Sequence, residues 1–208
     1  MNILFGISGS IAAIKTNEIV EKLKDECKLN NIVIDIRFVA TNIAYEKFLK
    51  DFNDKVYLDK DEWLWEKRGD DILHIELRKW ADIFILCPLD ANTLASISNG
   101  LCPNLLTCIC RCWDFNKICL VFPCMNTYMY NHPITKQQLD IISLWGMKVV
   151  NPIEKILACG EYGMGALPHV ENVVFEIMKY IQDIQIMSVL KFHIINQIQK
   201  YCVKIIFP

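Results

Sequence analysis

Asn2-Ile3-Leu4-Phe5-Gly6-Ile7-Ser8-Gly9-Ser10-Ile11 opens the chain with a strand-length apolar run that ends in small, hydrogen-bonding residues. Ile11, Ile14, Ile19, Val20 and Leu23 then recur at helical spacing, so the stretch predicts a strand, a tight turn and a helix over 11–29. The same alternation continues downstream. Strands are predicted over 2–7, 33–40, 83–88, 118–122 and 148–150. Helices are predicted over 44–49, 72–80, 93–98, 105–113, 135–144 and 170–184. Strands alternating with helices imply an α/β fold of three layers, a parallel sheet with helices on both faces. No repeat or low-complexity linker divides the chain, so one domain is expected over 1–183. Residues 184–208 stand apart as an apolar, basic C-terminal extension with Lys191, Lys200 and Lys204 and no acid. Lys191, Asn196, Gln197 and Lys200 interrupt its apolar run, which argues against a membrane span and leaves a packed terminal helix or a loose extension.

Composition narrows the function. At 208 residues the chain can bury a sizeable core, and 53% hydrophobic with 22% charged residues is a globular balance rather than a disordered one. A formal charge of -2 supplies no electrostatic reason to bind nucleic acid, so an enzyme for a small molecule is the better expectation. Among ten cysteines, Cys108, Cys110 and Cys112 follow C-x-C-x-C and not the C-x2-C of zinc knuckles. Residues two apart on a helix point to different faces, so no metal site is expected there. Buried reduced thiols are the expectation for most of the ten. The first residues lead straight into a strand with no secretory pattern, and a cytoplasmic location is expected.

In a parallel sheet, ligands lie beyond the carboxyl ends of the strands, where neighbouring connections diverge. Those ends carry Ser8-Gly9-Ser10, Thr41-Asn42, Pro88-Leu89-Asp90-Ala91-Asn92-Thr93 and Pro123-Cys124-Met125-Asn126. Free N–H groups where Gly9 and Ser10 open a helix would attract a phosphate. The pattern is neither G-x-G-x-x-G nor a P-loop ending in Gly-Lys-Ser/Thr, so a mononucleotide suits it better than a dinucleotide. A plain turn capped by Ser10 accounts for this segment equally well.

The distinctive stretches are His74-Ile75-Glu76-Leu77-Arg78-Lys79-Trp80-Ala81-Asp82, Asn99-Gly100-Leu101-Cys102-Pro103-Asn104-Leu105-Leu106-Thr107, Pro123-Cys124-Met125-Asn126-Thr127-Tyr128-Met129-Tyr130 and Leu157-Ala158-Cys159-Gly160-Glu161-Tyr162-Gly163-Met164-Gly165-Ala166. With Pro88 to Leu94, they resemble the flavin-containing cysteine decarboxylase family, most closely its phosphopantothenoylcysteine decarboxylase branch. The resemblance runs from about Asn2 to Glu176 in the family's motif order. It implies a flavodoxin-like, Rossmann-like fold that binds FMN, with active sites between the subunits of a homotrimer. It places FMN contacts on Gly9, Ser10, Ile11, Thr41, Asp90, Ala91, Asn92, Thr93 and Cys124. Catalytic roles fall on His74, Asn126 and Cys159, and substrate contacts on Asn126, Met129, Arg78, Gly160 and Gly163.

The implied reaction is a carboxy-lyase step of coenzyme A biosynthesis, from 4'-phosphopantothenoylcysteine to 4'-phosphopantetheine and carbon dioxide. Oxidation of the substrate's CH2–SH to a thioaldehyde provides an electron sink β to the carboxylate, and the ene-thiol left after decarboxylation is reduced again. The flavin carries the redox chemistry and the protein the orientation. His74 would take the thiol proton. Asn126 would donate to the substrate carboxylate without adding a charge. Cys159, as a neutral thiol, would protonate the ene-thiol carbon, with Gly160, Gly163 and Gly165 expected to form a flexible lid around it. Arg78, one helical turn from His74, would help hold an anion, although a solvated charge accounts for it equally well.

Three departures from the family pattern stand out. Tyr130 stands where Trp is frequent, Ile43 where relatives place a hydrogen-bonding residue near the flavin phosphate, and Leu167-Pro168 where Met-Ala is common. The alternatives are a decarboxylase of another cysteine-containing substrate and a regulatory, phosphatase-inhibiting member. The latter role goes with long acidic extensions, which this sequence does not contain.

Overall fold

The central strands are apolar on both faces because each feeds two cores. A computed structural model describes the backbone of residues 1–206 and the side chains of 1–187 and 190. In β1 (Asn2–Ile7), Ile3, Phe5 and Ile7 pack on one side of the sheet and Leu4 on the other. A 3-10 turn (Ile11–Lys15) leads to α1 (Thr16–Leu29), β2 (Asp35–Ala40), α2 (Asn42–Phe48), β3 (Val56–Tyr57), α3 (Asp59–Glu62) and α4 (Leu73–Trp80). β4 (Ile83–Leu89), α5 (Ala91–Ser98), α6 (Leu105–Cys112) and β5 (Ile118–Pro123) follow. The chain then forms α7 (Thr127–Tyr130), α8 (Pro133–Leu144), β6 (Lys148–Val149), the hairpin strands β7 (Ile153–Ile156) and β8 (Tyr162–Ala166), and α9 (Val170–Ile206).

Six strands pair in the order β3-β2-β1-β4-β5-β6, and every pairing is parallel. Without the two-residue edge strand β3, that order is the flavodoxin type, with its switch point between β1 and β4. One face is covered by Ile19, Val20 and Leu23 of α1 and Val173, Ile177 and Ile181 of α9. The other is covered by Leu77 of α4, Leu94 of α5, Leu106 and Ile109 of α6 and Ile142 of α8. The three-layer expectation holds. At Gly6 a Cβ would lie 2.7 Å from both Leu106 and Leu86, so glycine lets α6 settle onto β1.

Several boundaries differ from expectation. The segment 11–29 is a 3-10 turn followed by an α-helix, because Ser10 accepts from the Ala12 N–H and starts a tighter winding. Strand β3, α3, α7 and the β7–β8 hairpin are additional elements. The helix beginning at Val170 continues without a break to Ile206, past the expected end at 184. The side chains of 188, 189 and 191–208, which include Lys191, Asn196, Gln197, Lys200 and Lys204, lie outside the described residues. Among the described residues, no helix is long and apolar enough to cross a membrane.

Candidate active site

Buried hydroxyls and carboxylates shape the switch point. Ser8 is fully buried, and its N–H and its hydroxyl both donate to the Pro88 carbonyl at 3.2 and 2.9 Å. The same Oγ accepts from the Asp90 N–H at 2.7 Å, which ties the end of β1 to the end of β4. Asp90 caps α5 by accepting from the Thr93 N–H at 2.6 Å, and Thr41 caps α2 by accepting from Ala44 at 3.3 Å. A Cβ on Gly9 would lie 2.6 Å from Ile43 Cγ2 and 3.1 Å from Asp90 Oδ2, so only glycine fits between them. Ile43, the departure noted above, packs its methyl over that glycine. The Cys124 N–H donates to the Leu89 carbonyl at 2.9 Å. Burial pushes the Cys124 thiol above its ordinary value, partly offset by hydrogen bonds from Ser10 and Leu167, so it is neutral at physiological pH.

These residues open into a cavity of about 430 Å³. Gly9, Ser10, Ile11, Asp90, Ala91, Asn92 and Cys124 line it, seven of the nine positions expected to contact the cofactor. Thr41 and Thr93 are not among the lining residues, and the Thr93 hydroxyl is buried without a hydrogen-bond partner among the described residues. The remaining wall comes from Met125, Asn126, Met129, Leu157, Ala158, Cys159 and Gly165.

Asn126 and Cys159 meet at this wall. The Asn126 Oδ1 caps α7 by accepting from the Tyr128 N–H at 2.8 Å, leaving Nδ2 free to donate outward. That Nδ2 lies 3.5 Å from Cys159 Sγ and 3.3 Å from Glu161 Oε2, and the Cys159 thiol donates to the same Glu161 oxygen at 3.6 Å. Cys159 sits on the exposed turn between β7 and β8. The expected loose loop is therefore an antiparallel hairpin, and two of its glycines serve close packing. A Cβ on Gly165 would lie 2.2 Å from the Met125 carbonyl, and one on Gly163 would lie 2.5 Å from Thr127 Oγ1. The Met125 N–H donates to the Gly165 carbonyl at 3.0 Å, and Leu167 is buried in the core at the foot of the hairpin. Gly160, at φ +86, has open space around it. Neither Gly160 nor Gly163 lines the cavity.

His74 and Arg78 lie elsewhere. His74 is in the first turn of α4 and is not among the residues lining the cavity. Its Nδ1 is 2.5 Å from Glu62 Oε1, and its backbone N–H donates to Glu62 Oε2 at 3.1 Å. The Arg78 guanidinium lies near the Cys112 thiol, where its charge favours the thiolate and partly offsets the effect of burial, and its Nε is buried without a partner among the described residues. Sequence reasoning missed Glu62, which belongs to the run Asp59-Lys60-Asp61-Glu62 where solvated charges are the ordinary reading. It also missed Glu161, although that residue lies inside a quoted motif. Nine cysteines among the described residues are all unpaired, and no cluster of His, Cys, Asp and Glu there could hold a metal.

A parallel sheet with a nucleotide-sized crevice at its switch point defines a mononucleotide-binding α/β protein. The Flavoprotein family profile matches residues 1–182, and the chain belongs to that family. It is 47% identical over 169 residues to the phosphopantothenoylcysteine decarboxylase of Oryza sativa subsp. japonica, covering 79% of this chain and 74% of the relative. Among solved structures it is similar to a PPC decarboxylase mutant complexed with pantothenoylaminoethenethiol, with TM-score 0.80 and 38% identity over 87% of this chain and 98% of the other. The FMN binding protein AtHal3 is 39% identical with TM-score 0.72, over 88% of this chain and 97% of that one.

Proposed function

We propose that this chain is an FMN-dependent decarboxylase that converts 4'-phosphopantothenoylcysteine to 4'-phosphopantetheine and carbon dioxide. One observation carries the reading: the Asn126 amide and the Cys159 thiol stand 3.5 Å apart on the wall of a cavity bordered by Gly9, Ser10, Asp90 and Cys124. The cavity suits FMN, because small residues with free backbone and hydroxyl groups adjoin apolar Met125, Met129 and Leu157. When bound, FMN supplies the reversible two-electron oxidation of the substrate's thiol-bearing carbon. The Asn126 Nδ2 binds the substrate carboxylate, exchanging its contact with the Glu161 carboxylate for one with the ligand. The Cys159 thiol, a hydrogen-bond donor in this structure, delivers a proton to the carbon that carbon dioxide has left. The hairpin brings that thiol over the site and excludes water.

The same reading makes the protein a homotrimer in which His74 of one subunit serves the cavity of another. Two exposed apolar rims support this assembly. Trp63, Leu64 and Trp65 precede His74, while Tyr128 and Met129 follow Asn126, so both halves of the catalytic apparatus border surfaces suited to burial. Unpaired thiols accord with a cytoplasmic location.

The purified protein should be yellow, release carbon dioxide from 4'-phosphopantothenoylcysteine, and lose turnover in His74→Asn while keeping FMN. A yellow protein inert to this substrate would instead favour another cysteine-containing substrate. A protein that cannot be loaded with FMN would refute the proposal.

A further inference from the structure

Glu62 is a buried carboxylate to which the proposed chemistry assigns no role. It is 6% exposed, and both of its oxygens are committed to a single residue. Oε1 engages His74 Nδ1 and Oε2 accepts from the His74 backbone N–H. The nearby acids do other work: the Asp61 carboxylate accepts from the Leu58 N–H at 2.8 Å, and Asp59 accepts from the Leu105 N–H at the start of α6 at 2.8 Å. Helix α3 is thereby fixed against α6, and Glu62 is the group it presents to α4.

A carboxylate accepts and cannot donate, so the short contact requires a proton on Nδ1 of the imidazole. In the neutral ring the lone pair is then on Nε2, and the second contact, to the backbone of the same residue, fixes where the ring is anchored. We infer that Glu62 is a positioning residue for His74, holding the imidazole in the Nδ1–H tautomer with Nε2 presented as the proton acceptor. The two contacts separate two functions. The one to the backbone N–H supplies a cap that Ile72, at the N-cap of α4, has no side-chain oxygen to give. The one to the ring has no capping function and acts only on the tautomer and rotation of the imidazole. A carboxylate behind a histidine is a recurrent way to orient the ring, and removing such a partner from a metal-bound histidine commonly costs about 10- to 100-fold, the scale expected here.

This inference rests on the reading of His74 as the base, so its test begins with a measurement independent of turnover. Imidazole ¹⁵N spectra of the wild-type FMN-loaded protein, recorded where the ring is neutral, should show His74 as the Nδ1–H tautomer. A predominant Nε2–H tautomer would overturn the inference. The second arm is Glu62→Gln, whose amide keeps the size of the side chain and an oxygen for the backbone cap. It should lower kcat by about 10- to 100-fold, with KM and FMN affinity within about twofold of wild type. Unchanged kcat, or a loss confined to KM or FMN affinity, would overturn it. If Glu62→Gln does not fold, the wild-type spectrum alone decides. Wild-type protein inert to the substrate would remove the decarboxylase reading while leaving the tautomer result standing.

Discussion

Asn126 shows how one side chain can serve structure and chemistry together. Its oxygen caps α7 and its nitrogen points to Cys159 and Glu161, so the two functions can be separated by an isosteric change. Asn126→Asp keeps an acceptor for the Tyr128 N–H but loses the donor and adds a negative charge beside Glu161. A hydrogen bond to a charged group contributes about 1.5–3 kcal/mol, so kcat/KM should fall by roughly 10- to 150-fold, with FMN binding intact. Steady-state kinetics with flavin titration checks this; a change below about threefold would mean that the amide does not bind the carboxylate. At this scale Asn126 and Cys159 were legible because each sits within a short motif of unusual composition. Glu62 was not, because its partner is twelve residues away and only packing of α3 on α4 and α6 makes the contact.

Among the elements, the β7–β8 hairpin departs most from expectation. Three glycines within six residues read as a loose loop, yet Gly163 and Gly165 allow β8 to lie directly on Met125 and Thr127. Gly165 also has φ +128, a conformation that side chains rarely adopt. Gly165→Ala should therefore cost about 1–3 kcal/mol locally, lift β8 from Met125 and lower turnover at least tenfold. Hydrogen exchange reads the effect directly, since the Met125 N–H bonded to Gly165 should lose protection. The core strands were easy to read because burial on both faces produces continuous apolar runs. Strand β7 was not, since Glu154, Lys155 and Ile156 are exposed and no alternation marks an inward face.

For the whole molecule, the thiols set a limit in alkali. Cys87, Cys110 and Cys119 are buried in the two cores, and burial pushes each well above the ordinary thiol value of 9.0. Above about pH 9 the unfolded chain gives up these protons while the folded chain keeps them, so the native state binds more protons and stability falls as pH rises. Each fully buried thiol contributes about 1.4 kcal/mol per pH unit to that decline until its folded value is reached. Urea unfolding at pH 8, 9 and 10 should show the decline, and Cys110→Ala should make it shallower by about that amount.

The sequence by itself determined the layered parallel sheet, because double-sided apolar runs separated by helical periodicity have few other ways to be buried. It also determined the small-residue crevice and the family, through motifs confined to short stretches. Tertiary structure decided which residues share a wall. It placed Asn126 beside Cys159, turned a glycine-rich segment into a docked hairpin, put a buried carboxylate behind His74 and left that histidine outside the cavity lining. The physical reason is the range of the interactions. Secondary-structure preference and burial act on neighbours along the chain, whereas a hydrogen bond between Glu62 and His74 exists only after separate helices have packed.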